Sequence, residues 1–149
     1  MEAAMYAARM LGDNMGIICT SERSALIHAR TVSLYGFSEY FAGCEAAKLG
    51  VLELDSKPKD EVHGVMTQKI HQLVHRQGAD CVLLGCAGMA EMRSVCEKAV
   101  EGTGARVLDG VGLGIQFLVG IVRENLQTAK NGVYRDPATD REKRGQDWL

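Results

Sequence analysis

The chain has 149 residues, enough for one domain with a buried core, and 46% of them are hydrophobic against 24% charged. A net charge of −2, without a Lys/Arg stripe interleaved with aromatic residues, excludes the usual nucleic-acid-binding surfaces. The most apolar run, residues 111–122, contains three glycines and is shorter than the roughly 20 residues of a membrane span, so we expect no membrane partner either.

The start of the chain and its cysteines bear on the compartment. Residues 1–11 carry Glu2 and Arg9 and lack both the apolar core of a secretory signal and the Arg/Ser content of a transit peptide. The five cysteines are odd in number and follow no compact spacing, which favours reduced thiols over a disulfide scaffold. We therefore expect a cytoplasmic protein.

Helix and strand signals alternate along the first part of the chain. In order they predict a helix at residues 1–11, a strand at 16–20, a helix from 22 to about 35, a strand near 44–49 and an irregular stretch to 58. Thr20 and Ser21 supply a cap for the second helix, and Gly36 ends it. Pro58 interrupts the irregular stretch.

The alternation continues in the second part. In order we expect a helix at residues 60–77, a strand at 81–84, a helix at 89–100, a strand at 105–108, a helix at 111–127 and an extended, partly disordered tail at 128–149. Asp60 is the expected cap of the first of these helices, and Gly78 ends it. The core face of that helix comprises Val62, Met66, Ile70, Leu73 and Val74.

This alternation predicts an α/β fold, a short parallel sheet of about four strands with helices on both faces. The carboxyl ends of parallel strands share one edge, which is where open α/β sheets bind ligands. The turns that follow three strands, at Thr20, Cys86 and Asp109, should therefore lie at the same edge. We place residues 1–127 in this lobe and residues 128–149 in a C-terminal tail.

Cys86 is the residue most directly suggestive of chemistry. It lies among Gly85, Ala87 and Gly88, between a buried strand and a predicted helix. Unpaired N–H groups and the positive end of the helix dipole would favour a thiolate or a bound anion there. Asp109 is expected to orient its own turn through backbone hydrogen bonds or to contact a ligand.

The last helix carries two apolar stripes, although a helix on one face of a sheet needs only one. One comprises Val111, Ile115, Leu118 and Val122, and the other comprises Leu113, Phe117 and Ile121. We therefore expect this helix and the first helix to pack also against a missing lobe or a partner chain, for example in a homo-oligomer.

Other motifs have simpler interpretations. His71 and His75 have metal-ligand spacing, but with His63 they fit a solvated helix face better, so we predict no metal site. The glycines at 110, 112 and 114 lack the rest of a phosphate-binding motif and indicate a close-packed turn. Cys44 and Cys96 are expected to be structural.

Three segments carry a family resemblance. Residues 82–89, Val-Leu-Leu-Gly-Cys-Ala-Gly-Met, followed by residues 107–111, Val-Leu-Asp-Gly-Val, resemble the aspartate/glutamate/hydantoin racemase superfamily, and its hydantoin and allantoin racemase branch most. Residues 17–24 resemble the strand and Thr-rich turn of that branch. Residues 129–134 resemble fungal members in particular. The likeness covers roughly residues 2–134.

The resemblance implies a cofactor-independent racemase in which one cysteine from each of two α/β lobes flanks the substrate's stereocentre. One thiolate removes the proton α to a carbonyl, and the opposite thiol returns a proton to the other face. Cys86 matches the family's second cysteine. The implied substrate is a hydantoin, allantoin or another amino-acid derivative, and the residues expected to bind it are Thr20, Ser21, Gly85, Ala87, Gly88, Met89 and Asp109.

The first lobe and its cysteine have no counterpart here, so the resemblance predicts a truncated chain. Cys81 and Cys96 lie about 16 and 15 Å along the strand and helix from Cys86, too far to share one carbon with it. Cys19, at the end of a strand, is the remaining candidate within the chain.

Three functions therefore stay open, as does whether the isolated chain is an enzyme. The first is a racemase that uses Cys86 as one of two acid/base thiols. The second is a non-catalytic anion-binding or assembly module. The third is a decarboxylase or isomerase of the same superfamily that needs one thiol.

Overall fold

The computed structural model describes residues 1–135 and 137–146. Two compact units are present, Met1–Phe117 and Leu118–Leu149. The first unit contains the whole sheet. Of the predicted tail, residues 136 and 147–149 lie outside the described residues, and the assignment of residues 1–127 to one lobe stays a prediction.

Helices and strands alternate as the sequence predicts. In chain order the elements are α1 (Glu2–Leu11), β1 (Met15–Cys19), α2 (Glu22–Leu34), β2 (Phe41–Ala46), α3 (Glu53–Ser56), α4 (Lys59–His71), β3 (Cys81–Leu84), α5 (Arg93–Ala99), β4 (Arg106–Asp109), α6 (Gly110–Arg123) and α7 (Ala138–Lys143). A π-helical turn, Gln72–Arg76, extends α4, and 3-10 turns occupy Ser38–Tyr40, Ala87–Met92 and Gly132–Tyr134.

The four strands form one parallel sheet in the order β2-β1-β3-β4. Met15 pairs with Phe41 on one side and with Cys81 on the other, and Cys81 pairs with Arg106. The predicted α/β fold is thereby confirmed. Because all four strands run in one direction, the turns after β1, β3 and β4 meet at one edge of the sheet.

Alternate strand residues face two separate cores, as a sheet covered on both sides requires. On one face, α4 and α5 cover residues that include Ile18, Val82, Leu84 and Val107. On the other face, α1 and α2 cover residues that include Met15, Ile17, Cys81 and Leu83. Each fully buried aliphatic side chain stabilises the fold by about 1.5–3 kcal/mol. The small residues Ala4 and Ala8 let α1 approach the sheet closely.

The second strand, β2, begins at Phe41 and ends at Ala46, so it overlaps the predicted residues 44–49 only at 44–46. Lys48 has φ +56, which an extended strand does not allow, so β2 ends at Ala46. The backbone beyond it still follows β1, because Ala47 N–H donates to Cys19 O at 2.7 Å and Leu49 N–H to Thr20 O at 3.1 Å. Of the predicted residues, 44–46 pair with β1 in the ladder, and 47–49 are bound to β1 without continuing it.

The other differences from the prediction concern where helices begin and end and two short helices that were not predicted. The N-cap of α4 is Pro58 and not Asp60, which lies inside the first turn. The short helix α3 forms within the predicted irregular stretch, where Glu53 accepts a hydrogen bond from Gly50 N–H at 2.6 Å. The last long helix ends at Arg123, before the predicted 127. In the tail, α7 forms where we expected extended chain.

Candidate functional site

The turn after β3 is fastened to the neighbouring strand β1. Gly85 N–H donates to Ile18 O at 2.8 Å, one residue past the end of β3. A Cβ at Gly85 would lie 2.8 Å from Ile18 O and 3.0 Å from His28 Nε2. Only glycine allows the turn to pass this close to β1 and α2.

Cys86 follows in an extended conformation, with φ −138 and ψ 138, and caps the 3-10 turn Ala87–Met92. It is half-buried and packs partly against the core under α4 and α5. The expected α-helix at residues 89–100 begins only at Arg93. The N-terminus of a full α-helix therefore does not lie next to the sulfur, which weakens the dipole argument for a thiolate there.

A pocket of about 180 Å³ brings four of the predicted site residues together. Its lining comprises Met1, Leu84, Gly85, Cys86, Ala87, Asp109, Gly110 and Val111. Asp109 orients its own turn, because its carboxylate accepts hydrogen bonds from Val111 N–H at 3.1 Å and from Gly112 N–H at 2.8 Å. The turns after β3 and β4 thus form one small concave surface with Cys86 on it.

Thr20 and Ser21 lie at the same edge of the sheet but line a different pocket. That pocket, of about 500 Å³, also includes Glu22 and the loop around Lys48 and Gly50. Ser21 caps α2, since its Oγ accepts a hydrogen bond from Ser24 N–H at 3.1 Å. The structure therefore does not bring Thr20 and Ser21 into the pocket that holds Cys86.

Met89, a predicted binding residue, does not line the pocket that contains Cys86. Its side chain is fully buried in the core, and its N–H donates to Cys86 O at 3.0 Å. Neither group is placed to contact a ligand. Gly88 lies beside the thiol, with Cys86 Sγ 3.8 Å from the position of a Cβ there.

The other cysteines are less accessible than Cys86 or lie away from its pocket. Cys19 is 0% exposed, and its Sγ lies 3.6 Å from Cys44 Sγ. The hydrogen bond from Cys44 lowers the pKa of Cys19, but a sealed sulfur cannot reach a substrate. Burial raises the pKa of both Cys81 and Cys96 to about 11. Cys19 therefore fails as the second base within this chain.

The sequence analysis missed His28. It lies on α2, half-buried, with its ring against Gly85. Burial lowers the pKa of His28, while a hydrogen bond to the Gly85 backbone opposes that shift. The sequence does contain an indication of its position. His28 lies four residues after Ser24, so it is on the same face of α2 as the first turn, which Ser21 caps.

The other histidines have structural partners. His71 Nε2 lies 2.9 Å from Ala99 O, and the rings of His71 and His75 are in edge contact at 5.3 Å. Across residues 1–135 and 137–146, no three His, Cys, Asp or Glu side chains are grouped to hold a metal ion. Within the same residues, no helix has the length and hydrophobicity to span a membrane.

Comparison with known proteins identifies the family. The family model described as Asp/Glu/Hydantoin racemase matches residues 1–118. The chain belongs to this racemase family. The resemblance found in the sequence is thereby confirmed, and the matched residues include the whole sheet and both turns of the Cys86 pocket.

The chain is also similar to individual proteins in sequence and in structure. An uncharacterized protein of Schizosaccharomyces pombe, C1F7.10, is 38% identical over 141 residues, which cover 94% of this chain and 59% of that protein. A hydantoin racemase of Pseudomonas sp. strain NS671 is 29% identical over 136 residues, covering 91% of this chain and 53% of that enzyme.

The crystal structure of an allantoin racemase from Pseudomonas fluorescens superimposes with a TM-score of 0.80 at 27% identity, over 91% of this chain and 56% of that one. The racemase-family chain described here thus spans between a half and three-fifths of the length of these relatives.

Proposed function

We propose that this chain supplies one cysteine-bearing half of a cofactor-independent racemase site, for a hydantoin, allantoin or a related amino-acid derivative. The observation that carries the proposal is the position of Cys86, half-buried and lining a pocket at the carboxyl edge of a parallel sheet. Membership of the racemase family and similarity to hydantoin and allantoin racemases support it.

The proposed reaction is a proton exchange at the carbon α to a carbonyl. Cys86, as thiolate, takes the α-proton, and the electron pair of the broken C–H bond moves into an enolate whose negative charge is on the carbonyl oxygen. An acid on the opposite face then returns a proton to the carbon and inverts it. Backbone N–H groups of the turn at Ala87 and Gly88 would stabilise the oxygen, whereas the Gly85 N–H already donates to Ile18 O.

The remaining predicted contacts belong to the same proposal. Asp109 would act by holding the turn after β4 in place beside Cys86. Thr20 and Ser21 would contact a distal part of a larger substrate, since they line a neighbouring pocket at the same sheet edge. An acid/base thiol must stay reduced, so we propose a cytoplasmic location.

The second base has to come from another lobe or a partner chain. Reacting atoms must approach within about 3–3.5 Å, and Cys19 is sealed beneath the sheet edge. We propose that α1 and the first half of α6 face that partner, as in a truncated protein completed by another chain. Val111 and Ile115 on α6 are 47% and 54% exposed, large fractions for aliphatic side chains.

Deuterium incorporation at the α-carbon tests the proposal. Each enantiomer of a 5-substituted hydantoin and of allantoin is incubated with the protein in D₂O and followed by NMR and optical rotation. Exchange should depend on Cys86, so Cys86→Ala should abolish it. The Cys44→Ala variant, which removes a thiol away from the pocket, is the matched control and should retain it.

The outcomes separate the three functions. Exchange with loss of optical rotation supports a complete racemase. Exchange from one enantiomer without loss of rotation supports a chain with one working base, as in a one-thiol decarboxylase or isomerase. Absence of exchange contradicts the proposal, and so does exchange that persists in Cys86→Ala. Absence of exchange favours the non-catalytic assembly module, with which the exposed apolar residues of α6 are also consistent.

A further inference from the structure

The segment that follows β2 returns to the Cys86 turn. Leu49 and Leu54 are buried in the core that α4 and α5 cover, and Cys86 packs partly against the same core. Leu49 N–H also donates to Thr20 O at 3.1 Å, which ties the start of the segment to the end of β1. Residues 50–53, between the two buried leucines, are thus held at the carboxyl edge of the sheet.

Gly88 leaves a small open space beside the thiol. Gly88 is exposed, and the atoms nearest to the position of a Cβ there are Leu54 Cδ1 at 3.5 Å, Cys86 Sγ at 3.8 Å and Val51 Cγ1 at 4.0 Å. These are ordinary van der Waals distances, so a methyl-sized group fits at this place in contact with all three side chains. The sulfur and a valine methyl group therefore border the same space.

The groups that border this space, apart from the sulfur, are apolar. Val51 and Leu54 offer it only hydrocarbon, and Val51 is 57% exposed. Val51 also lines the neighbouring pocket of about 500 Å³, where Ser21 Oγ caps α2 and Lys48 Nζ is paired with Glu22 at 3.1 Å. A group that covers Val51 would remove exposed hydrocarbon from water, which favours an apolar group.

We propose that Val51 is a specificity-determining residue that selects substrates with an apolar substituent on the reacting carbon, such as a 5-alkyl or 5-benzyl hydantoin, over allantoin. With that carbon at Cys86 Sγ, the substituent occupies the space at Gly88 and contacts Val51 and Leu54. Allantoin carries a polar ureido group at the same carbon, and the N–H and C=O groups of the ureido group would lose water against hydrocarbon. This specificity rests on the proposed function, because it requires Cys86 to act on that carbon.

The first test needs no substrate. It compares the rates at which iodoacetamide and N-benzyliodoacetamide alkylate Cys86 in the folded chain, each divided by the rate with glutathione to remove the intrinsic reactivity of the reagent. Mass spectrometry with fragmentation locates the modified cysteine. In the wild-type chain the benzyl reagent should be favoured severalfold, because its ring is buried against Val51.

Three variants test the origin of this preference. Val51→Thr keeps the shape of the side chain but replaces a methyl group with a hydroxyl, and it should lower the preference about fourfold, the factor for one buried methylene group. Gly88→Ala fills the space itself and should lower the preference as well. Leu34→Asn, at an exposed position in the last turn of α2, is the control and should leave the preference unchanged. An absent preference in the wild-type chain, or one that Val51→Thr does not lower, overturns the proposal.

The second test measures kcat/KM for α-deuterium exchange with 5-isobutylhydantoin, 5-methylhydantoin and allantoin, each divided by the uncatalysed exchange rate. The isobutyl compound should exchange fastest, and Val51→Thr should lower its kcat/KM about fourfold relative to that of the methyl compound. Faster exchange of allantoin than of 5-isobutylhydantoin overturns the proposed specificity and leaves the proposed function intact. If none of the three compounds exchanges deuterium, the proposed function fails, and the alkylation ratios still decide whether Val51 forms an apolar subsite beside Cys86.

Discussion

At Gly85 the missing side chain lets the turn after β3 close against two neighbours at once. Ile18 O and His28 Nε2 occupy the space in which a Cβ would stand. Three residues on, Gly88 is different, because a Cβ there would make only ordinary contacts, 3.5 Å to Leu54 Cδ1 and 3.8 Å to Cys86 Sγ. The two glycines that flank Cys86 therefore serve different purposes.

We predict that Gly85→Ala destabilises the chain by about 1–3 kcal/mol, the usual cost of forcing an extra methyl group into a packed site. The methyl group would lie 2.8 Å from Ile18 O and 3.0 Å from His28 Nε2. Ile18 O cannot move away without weakening the hydrogen bond that it accepts from Gly85 N–H. Urea unfolding followed by circular dichroism measures the change. Gly88→Ala is the control and should alter stability far less; equal effects of the two variants would contradict the prediction.

How far the site could be predicted depends on the kind of residue. That Cys86 and Asp109 lie at the same sheet edge could be predicted, because each follows an apolar run that indicates a buried strand. The sequence did not indicate that His28 lies beside the Cys86 turn. Its neighbour Gly85 is far along the chain, and only the pairing of β1 with β3 brings the two residues together. The burial of Met89 could not be predicted, because a residue next to a turn can point either into the core or toward a ligand.

Among the elements, α4 contains a glycine that its structure does not need. Gly64 lies in the helix interior, is exposed and has open space where a Cβ would be. Gly36, which follows α2, has equally open space but a φ of +78. Glycine at position 64 therefore loses backbone entropy on folding without being needed for the local conformation. Glycine at position 36 is needed, because its φ is positive.

We predict that Gly64→Ala stabilises the chain by about 0.5–1 kcal/mol, because alanine reduces the entropy of the unfolded chain and favours helix. Gly36→Ala should have the opposite sign, since alanine is strained at positive φ. Thermal and urea unfolding of both variants measure the difference. Two shifts of the same sign would refute the argument.

At this scale most of the fold follows from alternation of helix and strand signals. The position of β2 did not, since it is an edge strand whose residues are mostly half-buried, and its register is set by pairing with β1. The start of α5 was missed for a related reason. Residues 87–92 wind tightly as a 3-10 turn around buried Met89 and Met92, and hydrophobic spacing cannot distinguish this from an α-helical turn.

For the molecule as a whole, the first half of α6 presents exposed apolar side chains that a partner could cover. Leu113 packs partly against the core under α1, whereas Val111 and Ile115 stay substantially exposed. Leu113 thus has a partner within the Met1–Phe117 unit, while Val111 and Ile115 are open to solvent. Full burial of an aliphatic side chain of this size contributes about 1.5–3 kcal/mol, so covering both side chains favours association.

We predict that the isolated chain self-associates and that Ile115→Asp reduces the association. A charge at the centre of an apolar contact would have to be desolvated, which opposes docking. Sedimentation velocity over a concentration series measures the effect. Leu26→Asp, at a still more exposed apolar position on α2, is the control and should leave association unchanged. A wild-type chain that stays monomeric throughout would contradict the prediction.

The strand order also has a consequence for how the chain acquires its structure during synthesis. Strand β1 is made first yet lies in the interior of the sheet, between β2 and β3. Gly16 gains its neighbour Gly43 early, but its other neighbour, Val82, leaves the ribosome only after the whole of α4. Until then the backbone N–H and C=O groups on one side of β1 are unpaired. An unpaired strand edge can pair with the wrong segment or bind a chaperone, so this stage is the one at which we expect misfolding of the nascent chain.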